Sequence, residues 1–202
     1  MTALAPAVDE RPLVRAILAG DESAFADLVR RHSASLLHVA RSFVYSRAEA
    51  EDVVQETWLG VLRGLDRFEG RSSLKTWIFR IAVNIAKTRS GVERRTLPFS
   101  SLSDEPTVDP SRFSNGRWRT APTSFDRLEE QQALACVKSA IEALPSRQRR
   151  VIALRDLSGL GAGEVCELLD LTPENQRVLL HRARAKVRAA LERLLDGEVR
   201  GL

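Results

Sequence analysis

Hydrophobic residues recur at helical spacing in two blocks of this chain, and a proline-rich stretch separates the blocks. The stretch, residues 96–125, contains four of the eight prolines and six serines, and it shows no helical periodicity. Prolines at this density end helices and are not accepted in central strands. No segment alternates apolar and polar residues as a half-buried strand does. The sequence therefore predicts an all-α fold with two helical domains joined by a flexible linker.

The same pattern sets the predicted boundaries. They are a disordered N-terminal tail at 1–11, a first domain at 12–95, the linker at 96–125, a second domain at 126–196 and a short tail at 197–202. The linker carries four large aromatic residues, Phe99, Phe113, Trp118 and Phe125. Leaving such rings in water forfeits roughly 1.5–3 kcal/mol each relative to burial. We therefore expect some of them to contact a partner, or to cap the adjoining domains.

Whole-chain properties exclude several classes of protein. Cys136 and Cys166 stand alone, and the three histidines are scattered. No glycine-rich phosphate loop or catalytic Ser-His-acid arrangement is evident, so we expect no enzyme, no metal site and no cofactor. The N-terminus lacks the features of a signal peptide, and no apolar run reaches the length of a membrane span. These features predict a cytoplasmic protein without membrane insertion. The excess of 31 basic over 27 acidic residues is small, but the basic residues are clustered.

The first block contains an acidic helix followed by a basic one. Acidic and amide residues crowd the start of the helix that begins near Glu49, and its predicted core face includes Leu62. Acids at a helix N-terminus are favourable, so a purely structural role stays open. The next helix carries an outer polar row of Arg80, Asn84 and Lys87. Basic grooves beside aromatic rings suit single-stranded nucleic acid, although the nearby aromatic residues also suit a core.

The second block predicts a helix-turn-helix. A short helix ending at Leu169 precedes a turn, and Pro173 fits the first position of a longer basic helix. In such motifs the N-terminal residues of the second helix meet base edges in the major groove. Asn175, Gln176 and Arg177 are therefore candidate base readers. Further basic residues should contact phosphate or stay solvated: His181, Arg182, Arg184, Lys186 and Arg188. A solvated helix that contacts no DNA is the alternative.

Two stretches resemble bacterial extracytoplasmic-function sigma factors of the sigma-70 family. The strings DVVQE and TWIFRIAVN lie in a stretch similar to the sigma-2 domain, and LPSRQRRVIALRDLSGLGAGEVCELLDLTPENQRVLLHRARAKVRAAL is similar to the sigma-4 domain. The resemblance implies a protein that binds core RNA polymerase, directs it to promoters and melts the minus-ten element. The implied partners are promoter DNA and the polymerase β′ clamp helices and β flap. Whether an anti-sigma factor binds is left open.

The resemblance also assigns residues to roles. Docking on the clamp helices is implied for Asp52, Gln55, Glu56, Leu59 and Leu62. Minus-ten binding and melting are implied for Phe68, Arg71, Ser72, Ser73, Lys75, Trp77, Arg80, Asn84 and Lys87. The basic helix corresponds to the minus-35 reader, but its start departs from the family's V-[KR]-S-R pattern because Val178 and Leu179 are apolar. A stand-alone helix-turn-helix regulator is the alternative, and it leaves residues 49–95 unexplained. A helical adaptor protein would tolerate loss of the basic residues.

Overall fold

The computed structural model describes residues 10–91, 113–114, 117–118 and 127–199. Residues 1–9 of the predicted N-terminal tail, residues 200–202 of the predicted C-terminal tail and most of the linker lie outside these residues. The C-terminal tail was predicted to start at 197, but residues 197–199 belong to the last helix. The chain divides into two compact units. One comprises Met1–Arg95 together with Ala153–Thr172, and the other comprises Thr96–Ile152 together with Pro173–Leu202. This division differs from the predicted domain boundaries, because residues 153–172 group with the first block.

The first unit begins with four helices in its described residues, and side-chain caps fix the starts of the last three. The four helices are α1 (Arg11–Leu18), α2 (Glu22–Arg41), α3 (Arg47–Gly64) and α4 (Leu74–Arg89), with a 3₁₀ turn at Leu65–Arg67. Ser46 and Glu49 form a reciprocal capping box at the start of α3, and Ser73 accepts a hydrogen bond from the Thr76 amide at the start of α4. Each cap satisfies backbone N–H groups that the helix cannot pair internally.

The predicted N-terminal tail is wrong at its last two residues. Arg11 begins α1, and Pro12 suits the start of a helix because its missing N–H would have no intrahelical partner there. The Glu10 carboxylate accepts a hydrogen bond from the Leu74 amide at 2.5 Å. This hydrogen bond connects the residue before α1 to the first turn of α4.

Helix α4 is buried on more than one side. Phe79 is fully buried, and the His32 ring of α2 packs edge-on against it with ring centroids 6.4 Å apart. Helical spacing on α2 predicts that His32 lies on the solvated side, whereas the structure places it half-buried. Burial lowers the pKa of His32, and the charges of Lys75 and Arg31 lower it further. On the side facing α3, a Cβ atom on Gly60 would lie 3.1 Å from Ile81 Cγ2, which shows how closely these two helices approach.

A π-helical segment, Ala153–Leu157, and helix α7 (Ala162–Leu169) complete the first unit. Leu154, Leu160 and Val165 belong to the same buried cluster as the core residues of α2 to α4. The predicted short helix is thus confirmed. Its helical spacing predicts that Val165 faces inward, and Val165 is fully buried. Its apolar face packs within the first unit.

The second unit contains α5 (Arg127–Glu142), α6 (Ser146–Ile152) and α8 (Pro173–Val199). Helical spacing predicts that Leu179, Leu180 and Ala183 of α8 face the core. All three are buried, as is Val151 of α6. The prediction that the basic helix starts at Pro173 is confirmed.

Two very short strands interrupt the predicted linker. Phe113–Ser114 pairs antiparallel with Arg117–Trp118, with Phe113 opposite Trp118. The expectation of a linker without regular structure is therefore wrong at these four residues. Helices make up nearly all the regular structure of the described residues, and the all-α class is confirmed. None of the helices in the described ranges combines the length and apolarity that a membrane span requires.

Candidate functional site

Helix α3 presents a row of exposed residues that mixes carboxylates with leucines. We call it the α3 stripe: Asp52, Gln55, Glu56, Leu59 and Leu62, all exposed. Their spacing of three and four residues places them along one side of the helix. Leu59 and Leu62 are each 49% exposed, whereas the adjacent Val61 is fully buried. The prediction that Leu62 belongs to the core is wrong, and the leucines extend the acidic row as an apolar surface.

Arg89 at the end of α4 binds the carboxylates of the α3 stripe. Its Nη1 lies 3.1 Å from Asp52 Oδ2, and its Nε donates to Glu56 Oε2 at 3.3 Å. These hydrogen bonds, with Glu56 first, raise the pKa of Arg89 above its ordinary value. The arginine fixes the two carboxylates one helical turn apart and offsets part of their charge.

The loop before α4 brings aromatic and cationic residues together. The Phe68 and Trp77 rings lie 5.4 Å apart at a tilt of 54°, and both are half-buried against the core. Arg71 is exposed and pairs with Glu69 at 2.6 Å. Ser73 is used as the helix cap, and its hydroxyl lies 2.7 Å from Thr76 Oγ1. The two rings thus pack between the loop and the core, and the Arg71 guanidinium faces solvent.

Helix α4 carries a polar row that we call the α4 face: Thr76, Arg80, Asn84 and Lys87. Arg80 and Asn84 are exposed as predicted, and Lys87 is half-buried. Three residues of this row contact acidic residues at or beside α7. Thr76 donates to Glu164, Arg80 Nη2 lies 2.9 Å from Glu167 Oε2, and Lys87 Nζ lies 2.9 Å from Asp170 Oδ2.

Lys75 and Ser72, the remaining loop residues predicted to bind the minus-ten element, are half-buried. Lys75 Nζ lies 3.5 Å from the position that a Cβ atom on Gly159 would take. The amine therefore also approaches the segment that precedes α7. All the residues predicted for the minus-ten site lie on one helix and the loop before it.

On α8, only some predicted base readers are accessible. Arg177 is exposed and Asn175 is half-buried. Gln176 is 5% exposed, and its Nε2 atom has no hydrogen-bond partner among the described residues. The structure therefore contradicts the expectation that Gln176 reads bases, because an amide buried beside the core cannot reach a groove. Its position follows from helical geometry, since Gln176 lies three and four residues before the buried Leu179 and Leu180.

Most of the other basic residues of α8 are partly covered. Half-buried positions are taken by His181, Arg182, Arg184 and Arg188. Arg188 Nε pairs with Glu192 Oε1 at 2.5 Å, one turn further along the helix. Its charge is therefore already partly offset within the helix.

Two protein-family models match this chain, one in each helical block. The family model Sigma-70 region 2 matches residues 28–96, and Sigma-70, region 4 matches residues 134–187. The ECF RNA polymerase sigma-E factor of Escherichia coli (strain K12) is 31% identical over 179 residues, covering 88% of this chain and 92% of the relative. The RNA polymerase sigma-H factor of Pseudomonas aeruginosa is 30% identical over 187 residues, covering 92% and 95%.

The chain belongs to the ECF sigma factors of the sigma-70 family. It is an alternative sigma factor for promoter-directed transcription. The α3 stripe and the α4 face lie in its region 2. Helix α8 begins in region 4. The acidic residues that contact the α4 face also lie in region 4, although they belong to the first compact unit.

Solved structures of related sigma factors share the fold. CnrH, solved in complex with the cytosolic domain of CnrY, aligns with a TM-score of 0.56 and 26% identity, covering 91% of this sigma factor and 97% of CnrH. RpoE from Bartonella quintana, solved with the anti-sigma factor NepR, aligns with a TM-score of 0.52 and 23% identity, covering 82% and 97%. The second similarity bears on the fold alone.

Two features of the site were missed from the sequence of this sigma factor. The sequence pattern assigns no role to Arg89, although it joins α3 to α4. The acidic residues Glu164, Glu167 and Asp170 were not connected with α4. A signal for the second feature exists, because these carboxylates recur every three residues and lie beside the apolar row of α7.

Proposed function

We propose that this sigma factor docks on core RNA polymerase through the α3 stripe. The observation that carries the proposal is the pair of half-exposed leucines that continues a row of carboxylates. Leucine side chains supply affinity when an interface buries them, and charges at its edge accelerate association and select the partner. An acidic row with an apolar end fits a basic helical partner such as the β′ clamp helices.

Charge reversal tests the docking surface. Asp52→Lys combined with Glu56→Lys should weaken binding to core polymerase at least tenfold, because two attractive contacts become repulsive. A control with the same change of net charge is Glu22→Lys with Asp27→Lys on α2, where both carboxylates are exposed and Asp27 pairs with Arg30. Fluorescence anisotropy with labelled sigma factor gives the affinity, and circular dichroism checks the fold. Equal affinity of the folded double variant and the control would disprove the assignment.

We further propose that the α4 face and the loop from Phe68 to Lys75 bind and melt the minus-ten element. Arginine, lysine and asparagine side chains on one row can bind phosphates and base edges of a separated strand. A stacked and paired base hides its Watson–Crick edge, so reading it requires extrusion at a cost of a few kcal/mol. The exposed amide of Asn84 offers both a donor and an acceptor to such a base.

Permanganate footprinting tests the melting role. Asn84→Ala should reduce the reactivity of thymines in the promoter bubble while binding of the upstream element changes little. Thr88→Ala, one turn further along α4 and also exposed, is the control. If bubble reactivity in Asn84→Ala equals that of the control, the base-binding site is elsewhere.

For the minus-35 element, we propose that Arg177 and Asn175 near the start of α8 contact bases. Arg177 is exposed, and arginine pairs with guanine through two hydrogen bonds. Arg182 and Arg184 are proposed phosphate contacts, and Arg188 contributes less because Glu192 engages it. We do not propose Gln176 as a base contact, because its side chain is buried.

We also propose that the protein acts in the cytoplasm as an initiation factor and not as an enzyme. The polymerase supplies the chemistry, and the sigma factor supplies promoter recognition and strand separation. An anti-sigma partner remains a proposal by analogy with CnrH, whose solved structure is a complex with the cytosolic domain of CnrY. Transcription of a promoter library with core polymerase, with and without this chain, tests the function as a whole.

A further inference from the structure

Glu10 precedes α1, but its side chain caps a different helix. It stands at the N-cap position of α1, and its carboxylate forms no hydrogen bond with the start of that helix. The carboxylate instead accepts the Leu74 amide, the first N–H of α4, at 2.5 Å. The two residues are 64 positions apart. Glu10 also lies before residues 28–96, which the Sigma-70 region 2 model matches. A residue outside the matched region therefore contacts the first turn of α4.

Apolar packing of α1 holds Glu10 in place. Val14 and Ile17 are each 8% exposed. Both belong to the buried cluster that also contains Leu65 and Leu74, the residues on either side of the loop before α4. The backbone carbonyl of Glu10 accepts the Val14 amide at 3.0 Å, and the Glu10 side chain is half-buried. The carboxylate is therefore presented to α4 from a fixed position.

Both ends of the loop before α4 are supported. At its upstream end, the Phe68 ring packs against Trp77. At its downstream end, Ser73 accepts an amide of its own helix, and Glu10 accepts the Leu74 amide. Side chains on loops are positioned less precisely than those on helices, so a loop that reads bases depends on such supports.

We propose that Glu10 is a positioning residue for minus-ten recognition, which fixes the downstream end of the Phe68–Lys75 loop through the first turn of α4. The inference rests on the proposed role of that loop. The first N–H groups of a helix have no partner within the helix, and the helix dipole favours a carboxylate beside them. Loss of the Glu10 carboxylate should therefore loosen the first turn of α4 and the loop that leads into it. Base preference should suffer more than affinity for core polymerase, because the α3 stripe lies on another helix.

Three variants of the full-length chain test the role of this acceptor. Glu10→Ala removes it, whereas Glu10→Gln removes the charge but keeps an oxygen that can accept the Leu74 amide. Glu22→Ala, which removes an exposed carboxylate at the start of α2, is the control with the same change of net charge. Each variant is assembled with core polymerase. The probe is a pool of promoter fragments selected by the wild-type holoenzyme and then randomised across the minus-ten element. Sequencing of the bound fragments gives the base preference at each position.

We expect Glu10→Ala to lower the preference for the favoured base at one or more minus-ten positions at least threefold relative to the control. Glu10→Gln should retain most of this preference. The affinity for core polymerase, measured by fluorescence anisotropy, should stay within twofold of wild type in all three variants. Hydrogen exchange at the Leu74 amide, followed by NMR in the sigma factor alone, should be faster in Glu10→Ala.

Three results would overturn the proposal. The first is a base preference in Glu10→Ala equal to that of the control. The second is an equal loss in Glu10→Ala and Glu10→Gln, which would assign the effect to charge and not to the hydrogen bond. The third is a loss of core affinity as large as the loss of base preference, which would indicate a general effect on the first unit.

A change in the loop itself separates this proposal from the one on which it rests. Arg71→Ala with Ser72→Ala alters two polar side chains of the loop and leaves Glu10 in place. If this variant loses base preference while Glu10→Ala equals its control, the loop reads the minus-ten element and only the role of Glu10 is wrong. If neither variant changes base preference, the proposed role of the loop is wrong as well.

Discussion

Replacing Leu59 and Leu62 with alanine should weaken polymerase binding without unfolding the protein. Each side chain is about half exposed in the sigma factor alone. Full burial of a leucine is worth roughly 1.5–3 kcal/mol, so about half of that remains to be gained at an interface. Alanine removes three of the four side-chain carbons. The two substitutions together should therefore cost about 1–2 kcal/mol of binding free energy, or roughly 5- to 30-fold in Kd.

Leu18→Ala and Leu134→Ala provide matched controls, because these leucines are 52% and 63% exposed but lie on α1 and α5. Titration of labelled sigma factor with core polymerase gives the affinities, and urea unfolding gives the stability of each variant. Leu59 and Leu62 already face solvent, so the unfolding free energy should change by less than about 0.5 kcal/mol. A double variant whose Kd lies within twofold of both controls would refute the reasoning.

Three further predictions follow from burial. Phe79→Ala should lower the free energy of unfolding by about 3–5 kcal/mol, measured by urea denaturation, because it empties a fully buried ring site. Because the pKa of His32 is lowered in the folded chain, the unfolded chain binds more protons at acidic pH. The free energy of unfolding should therefore fall as pH drops below about 6.5. His32→Gln should reduce this loss of stability between pH 7.5 and pH 5.5, measured in unfolding experiments. In a binding-site selection, Gln176→Met should leave the base preference in the minus-35 element unchanged. Arg177→Ala should reduce the preference at one base pair, with about 1–3 kcal/mol of discrimination lost. An altered base preference in Gln176→Met would contradict the burial argument.

Helical periodicity predicted most of the helices because local spacing determines which side of a helix is apolar. The predicted core positions of α8, Leu179, Leu180 and Ala183, are buried. On α4, helical periodicity did not predict Phe79 and Val83 as core residues, although both are fully buried. A second row at Phe79, Val83 and Ala86 was present in the sequence. Predicting one apolar side is not enough where a helix packs on several neighbours. A helix that is apolar on most sides is buried on most sides.

The contacts of the charged residues could not be predicted in the same way. Arg80 and Glu167 are 87 positions apart, and Arg89 and Glu56 are 33 apart. Charge counts show that a face is basic, but they do not show which anion it binds. Exposed ion pairs are also too weak to determine the fold, since each contributes about 0–1 kcal/mol. The fold places these residues together through apolar packing, and the ion pairs follow.

The difference in strength between apolar packing and ion pairs explains how one set of cations can have two uses. Burial of Val165 and Leu168 places α7 in the first unit, whereas Arg80 and Lys87 contribute only exchangeable contacts. A phosphate backbone can replace carboxylates at such cations at little net cost, because the cations remain paired throughout. The same exchange would be costly for a fully buried pair, since breaking it leaves an uncompensated charge. Partial exposure of Arg80 and Lys87 is therefore the physical condition that lets these cations exchange carboxylates for the phosphates of the proposed minus-ten strand.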